Sequence, residues 1–163
     1  MILDEEVFAV VIALTVIASA LGIALTWRPQ GEEFVAIGLL NEDCKIGYYP
    51  RNVTLGSNVT LCLYVGNYMS KPVAYKVLYK VAPNASQLPT NTTPSSVGQL
   101  AAWVGALSSG SNSTTVVSVP IPSNASTVGS RVSLVFELWL LDTKAGSWVY
   151  SGRWADLWVQ IVG

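Results

Sequence analysis

The chain has no histidine, only two cysteines and two methionines, and just nine basic and ten acidic side chains among 163 residues. Each shortage excludes something. Without histidine the usual base of nucleophilic catalysis is missing, and the few lysines fall on expected exposed faces. Two thiols without an imidazole fall short of the four ligands of a structural zinc site. A net charge of −1 with no basic cluster gives a nucleic-acid partner nothing to bind. There is no glycine-rich phosphate loop. The acids Glu42, Asp43, Glu137, Asp142 and Asp156 read as turn or surface residues, not as two carboxylates converging in a cleft. Asn41, Glu42 and Asp43 offer three oxygens where calcium takes about six to eight. The expectation is a chain that is not an enzyme and holds no metal or cofactor.

Charge is scarce partly because of one segment. VFAVVIALTVIASALGIALTW, residues 7–27, runs for 21 residues without a charge. About 20 apolar residues cross a hydrocarbon core of about 30 Å, so the segment predicts one membrane-spanning helix over residues 1–27. A signal peptide would start basic and have a shorter core, and MILDEE is acidic, although Ala18-Ser19-Ala20 would pass for a cleavage site. A buried core helix is the other alternative. Arg28, on the C-terminal side, is the one basic residue near the span and by itself favours an outside N-terminus. Long domains translocate largely regardless of such charges, so the downstream features decide. Within the helix Ala9, Ala13, Ala20 and Ala24 form a stripe of small residues, which lets helix backbones approach closely. Alanine is also common in any membrane helix.

Those downstream features are asparagines and cysteines. Asn-x-Ser/Thr triplets begin at Asn52, Asn58, Asn84, Asn91, Asn112 and Asn124, six of the eight asparagines in the chain. Ser and Thr fill 28 of 163 positions, so chance gives one or two such triplets. The excess points to N-linked glycans on a translocated surface. A preference of Asn, Ser and Thr for turns accounts for one or two of the six. In a translocated domain Cys44 and Cys62 read as a disulfide. It closes a loop of 18 residues, worth about 3 kcal/mol by chain entropy.

After a polar hinge at residues 28–33, RPQGEE, short β-rich runs alternate with turn chemistry from 34 to 163. The runs are FVAIGLL (34–40), NVTLCLYVGN (58–67), VAYKVLYKV (73–81), TTVVSVPI (114–121), RVSLVFELWLL (131–141), WVY (148–150) and LWVQIV (157–162). LAAWVGAL (100–107) is ambiguous between strand and helical turn, and PNASQLPTNTTPSSV (83–97) is a polar loop. Pro120 predicts that its strand lies at an edge or ends there. In VAYKVLYKV the lysines 76 and 80 oppose the apolar side. The pattern describes a mainly β protein: one N-terminal transmembrane helix and then an immunoglobulin-like antiparallel β-sandwich.

GLLNEDCKIGYYPRNVTLGSNVTLCLYVGN, KPVAYKVLYKV, FELWLLD and YSGRWADLWVQIV resemble an archaeal family catalogued as domain of unknown function 1616. The resemblance covers residues 34–163 and implies an extracytoplasmic β-domain on a membrane anchor, with no catalytic residues to carry over. Cys44 departs from the family pattern, which makes the disulfide a local addition. Within these motifs Tyr49-Pro50 fixes an extended approach to a strand, Gly56 suits a positive φ, and Asn67 closes a turn. Trp154 and Trp158 bury apolar area at the sandwich edge. Arg153 beside Asp156 is read as corner packing, with an ion pair or a partner contact as alternatives.

Three functions fit. The first is a glycosylated archaeal cell-surface protein or accessory subunit of a membrane complex. Its partners are the lipid bilayer, its N-linked glycans, and other membrane subunits or copies of itself met through the helix. The second is a pilin-like subunit of an extracellular filament with the helix in the filament core, although MILDEE lacks the short basic leader of pilin precursors. The third is an adhesion or solute-binding module, which fold alone cannot specify.

Overall fold

The computed structural model describes residues 4–26 and 31–163. The chain divides at Glu33 into two compact units. The first holds the helix α1, Glu5–Thr26, with Glu5 and Glu6 in its first turn, where acids complement the helix dipole. It is long and apolar enough to cross a membrane, and none of its side chains is buried. Its polar residues satisfy themselves: the hydroxyls of Thr15, Ser19 and Thr26 donate to the carbonyls of Val11, Thr15 and Gly22, one turn earlier, at 2.8–2.9 Å. Such back-bonding leaves no hydroxyl needing water. Trp27 and the hinge residues 28–30 lie outside the described residues.

The second unit is a sandwich of two sheets. One contains β1 (Val35–Leu40), β3 (Asn58–Asn67) and β6 (Asn112–Pro120), in the order β1-β3-β6. The other contains β2 (Asn52–Thr54), β4 (Val73–Ala82), β5 (Ala101–Leu107), β7 (Arg131–Asp142) and β8 (Ser147–Val162), in the order β2-β8-β7-β4-β5. Pairing is antiparallel except for β2 against β8, which is parallel. This is the immunoglobulin-like arrangement: β3 and β6 oppose β4, β7 and β8, while β1 and β2 lie in different sheets, beside β3 and β8.

Alternation builds the core. Val59, Leu61, Leu63 and Val65 of β3 face Tyr75, Val77, Tyr79 and Val81 of β4 and Val132, Leu134, Phe136 and Leu138 of β7, all buried. The Tyr79 ring lies 5.1 Å from that of Phe136, and its hydroxyl crosses the core to donate to the Pro120 carbonyl at 3.0 Å. Burial pushes that hydroxyl's pKa well above the ordinary tyrosine value. β6 is an edge strand and ends at Pro120, as the missing N–H of proline requires.

Three sequence expectations change. The ambiguous 100–107 run is the edge strand β5. NVT at 52–54 is a short strand in its own right, docked beside β8. WVY and LWVQIV belong to one strand of 16 residues, β8. Its register against β7 jumps between Leu138 and Trp139, leaving Ser151 and Gly152 as a bulge. Gly152 has φ +76°, and a Cβ there would collide with the Asn91 carbonyl of the β4–β5 loop. Only glycine fits both demands. Gly56, at φ +75°, also meets its expectation.

Candidate functional site

Each outer face of the sandwich carries a loop. After β1 the chain turns at Asn41, whose Oδ1 accepts from the N–H groups of Asp43 and Lys45 at 3.1 and 3.0 Å. This Asx turn places Cys44, in the left-handed region at φ +56°, over the outer side of β3. Leu61 and Leu63 point into the core, so Cys62 points out, and yet it is fully buried. The Cys44–Cys62 disulfide closes there, with the Cα atoms 5.1 Å apart. Tyr49, before Pro50, donates its hydroxyl to the Leu39 carbonyl at 2.9 Å and holds the returning chain.

The opposite face holds the largest departure from expectation. Lys80 and Glu137, expected at the surface, are 6% and 0% exposed. They project from adjacent strands, and Lys80 Nζ lies 3.0 Å from Glu137 Oε2. The loop between β4 and β5 folds over the pair. Ser95 N–H donates to Glu137 Oε1 at 2.6 Å, Lys80 Nζ donates to the Ser95 carbonyl at 2.8 Å, and Trp139 Nε1 donates to Glu137 Oε2 at 3.2 Å. Farther along, the Tyr150 hydroxyl donates to the Thr90 carbonyl at 2.7 Å. Burial, and then the negative charge of Glu137, push the Tyr150 pKa up to about 12. Every strong acceptor of the carboxylate is occupied, which makes the pair a clasp for the loop and not a free acid or base.

The asparagines divide cleanly. All six triplet residues, Asn52, Asn58, Asn84, Asn91, Asn112 and Asn124, are exposed, and none of their side chains makes a hydrogen bond within the described residues. The two asparagines outside triplets have structural work. Asn41 forms the turn above. Asn67 is fully buried; its Nδ2 donates to the carbonyls of Lys71, Leu107 and Ser108, and its Oδ1 accepts from Met69 N–H. Asn67 closes the turn expected of it, through the Met69 N–H, and also ties the loop before β4 to the end of β5. Strand position accounts for the exposure elsewhere: Asn52 and Asn58 alternate with the buried Val53 and Val59.

Other candidate residues are placed as follows. Ala9, Ala13, Ala20 and Ala24 lie exposed on α1. Arg153 and Asp156 form no ion pair: three residues apart in a strand, they lie on opposite faces. Asp156 instead accepts from the Ser133 hydroxyl at 3.1 Å. Trp154 and Trp158, expected to bury apolar area at the sandwich edge, are half-buried on the outer face of β8. Among the described residues Lys80–Glu137 is the one ion pair, and no cluster of three His, Cys, Asp or Glu side chains stands ready for a metal.

No family model matches the chain, and no curated protein does. Solved structures are similar only distantly. Alpha-2-macroglobulin of Escherichia coli shares 15% identity over 78% of this chain and 6% of its own length, with a TM-score of 0.45. The sporulation control protein Spo0M of Bacillus subtilis shares 10% over 82% of this chain and 50% of its own, at 0.44. The PapD-like domain 7 of human CEP192 shares 9% over 84% and 92%, at 0.39.

Proposed function

We propose that the chain is a non-enzymatic, membrane-anchored and glycosylated cell-surface protein or accessory subunit of a membrane complex, acting through protein–protein contacts. The division of the asparagines carries this reading. A glycan needs a solvated side chain with no other partner, and the six triplet asparagines meet that condition while the two others do not. The disulfide adds a second support, since such bonds persist in oxidising compartments. A helix of 22 residues with no buried side chain has its apolar surface free for lipid or for partner helices. The archaeal assignment rests on the motif resemblance alone.

Shearing native cells and then extracting their membranes with mild detergent, with this chain followed by mass spectrometry, tests the proposal. Recovery in a detergent-soluble membrane complex is expected, with the co-purifying chains naming the partners. Recovery in sheared filaments replaces it with the pilin-like reading, in which the helices bundle in the filament core.

A further inference from the structure

We infer a binding site for an acidic saccharide on the outer face of the five-stranded sheet, in the cavity between Arg51 and Arg131. Three neighbouring strands build its floor. Asn52 of β2 and Arg131 of β7 both pair with Gln160 of β8, so the three side chains form one lateral row on one face. Strands about 4.8 Å apart put Asn52 about 10 Å from Arg131. Arg51, just before the row, is fixed by its carbonyl, which accepts from Gln160 N–H at 2.7 Å. The open cavity above has a volume of about 570 Å³, and Trp158, Tyr48, Tyr49, Pro50 and Leu157 are also in its lining. That is within the size range of ligand sites, about 300–1,000 Å³.

Its charge is one-sided. Two of the three arginines in residues 33–163 line it, with no aspartate or glutamate among the lining residues. Neither guanidinium is in an ion pair among the described residues, and Asp156, the one acid of β8, is held by Ser133. Arg131 is also held in place: its Cζ lies 5.7 Å from the Trp158 ring centre. A guanidinium resting on an indole keeps its N–H edge free, and that edge matches a carboxylate or sulfate two bonds at a time. The rest of the lining, aromatic faces with two carboxamides, offers apolar flats beside hydrogen-bonding groups. Such a wall suits a sugar ring with its hydroxyls better than a purely apolar ligand.

The same residues name two sources for the sugar. Asn52, at the β2 end of that row, heads a glycosylation triplet, so an acidic residue of its own glycan is within reach. The alternative is a glycan of another molecule. Only the first source rests on the proposed glycosylation.

The test uses the full-length chain in detergent, made without glycans and titrated with tri-galacturonic acid by calorimetry. Binding is expected, with neutral maltotriose at least tenfold weaker. Arg51→Gln and Arg131→Gln should each weaken it about tenfold, the worth of one lost charge-assisted contact. Arg153→Gln, outside the cavity, should leave it unchanged, and thermal unfolding of each variant reports its folding. No binding, equal binding of maltotriose, or unchanged binding by a folded Arg131→Gln variant would overturn the site. Inorganic sulfate matching the trisaccharide would reduce it to a simple anion site and overturn the saccharide. In the native glycosylated protein, loss of trisaccharide binding that Asn52→Gln restores assigns the site to its own glycan. Retained binding assigns it to another molecule's.

Discussion

The two loops that cover the outer faces of the sandwich solve one problem by different means. The loop after β1 lies on β3 and is fastened by a covalent bond, Cys44–Cys62. The loop after β4 lies on β4, β7 and β8 and is fastened by charge, through Lys80, Glu137 and Ser95, with Tyr150 at its far end. The first needs an oxidising compartment to form and is indifferent to pH once made. The second forms anywhere, and its hold depends on two buried charges staying paired. A short loop over one strand offers few groups for a network, whereas a long one crossing three strands brings its backbone to a carboxylate.

That contrast can be broken from the charged side first. Removing one partner alone, by Lys80→Met or Glu137→Leu, leaves a buried charge uncompensated and should cost about 3–5 kcal/mol in urea unfolding. The double variant Lys80→Met with Glu137→Leu should be less destabilised than either single one, because no orphan charge remains. If the double variant instead loses as much as the two single variants together, the clasp is not a coupled pair. Cutting the covalent side, by Cys44→Ser with Cys62→Ser, should cost about 3 kcal/mol, read as a lower thermal midpoint. The charged loop should keep its protection from proteolysis in that variant, and loss of both loops together would deny their independence.

Alkali sharpens the difference. The Tyr150 pKa is raised to about 12 by burial and then by Glu137, and that of Tyr79 is raised by burial. Both folded values stand above the ordinary tyrosine value of about 10, so the fold favours the neutral phenol. Its contribution is complete below about pH 10 and fades as pH climbs toward 12. Stability should fall across that window in step with phenolate absorbance, and Tyr150→Phe should lower the amplitude of the fall. At neutral pH the same substitution loses one hydrogen bond to Thr90, about 1 kcal/mol. The smallest effects belong to the triplets. Asn58→Gln or Asn112→Gln should shift stability by no more than about 0.5 kcal/mol in the unglycosylated chain. Asn67→Gln, which breaks a buried tie, should be far more costly by the same assay.

Period-two alternation made most strands legible, because a half-buried strand must alternate, and the core residues Val59, Leu61, Leu63 and Val65 of β3 and Tyr75, Val77, Tyr79 and Val81 of β4 fall at every second position. The same logic misplaced Lys80 and Glu137. Alternation assigns them correctly to the outer face, but equating that face with water ignores a loop whose backbone can satisfy them. β2 was hidden by its length and by its partner, since Asn52 pairs with Gln160 more than a hundred positions away. The bulge in β8 read as a break between two strands because Ser151 and Gly152 carry turn chemistry and Arg153 a charge. The six Asn-x-Ser/Thr triplets were legible as a motif, whereas the tie made by Asn67 was not, for its partners Lys71 and Leu107 lie far apart in sequence.

The measurement that tests the account most directly is glycopeptide mass spectrometry of this chain from the membrane fraction of native cells, with thiols alkylated before reduction. Glycan mass is expected on triplet asparagines and none on Asn41 or Asn67, together with a Cys44–Cys62 peptide that escapes alkylation until reduced. Unmodified asparagines throughout, with both thiols free and the chain recovered in the soluble cytosol, would contradict it.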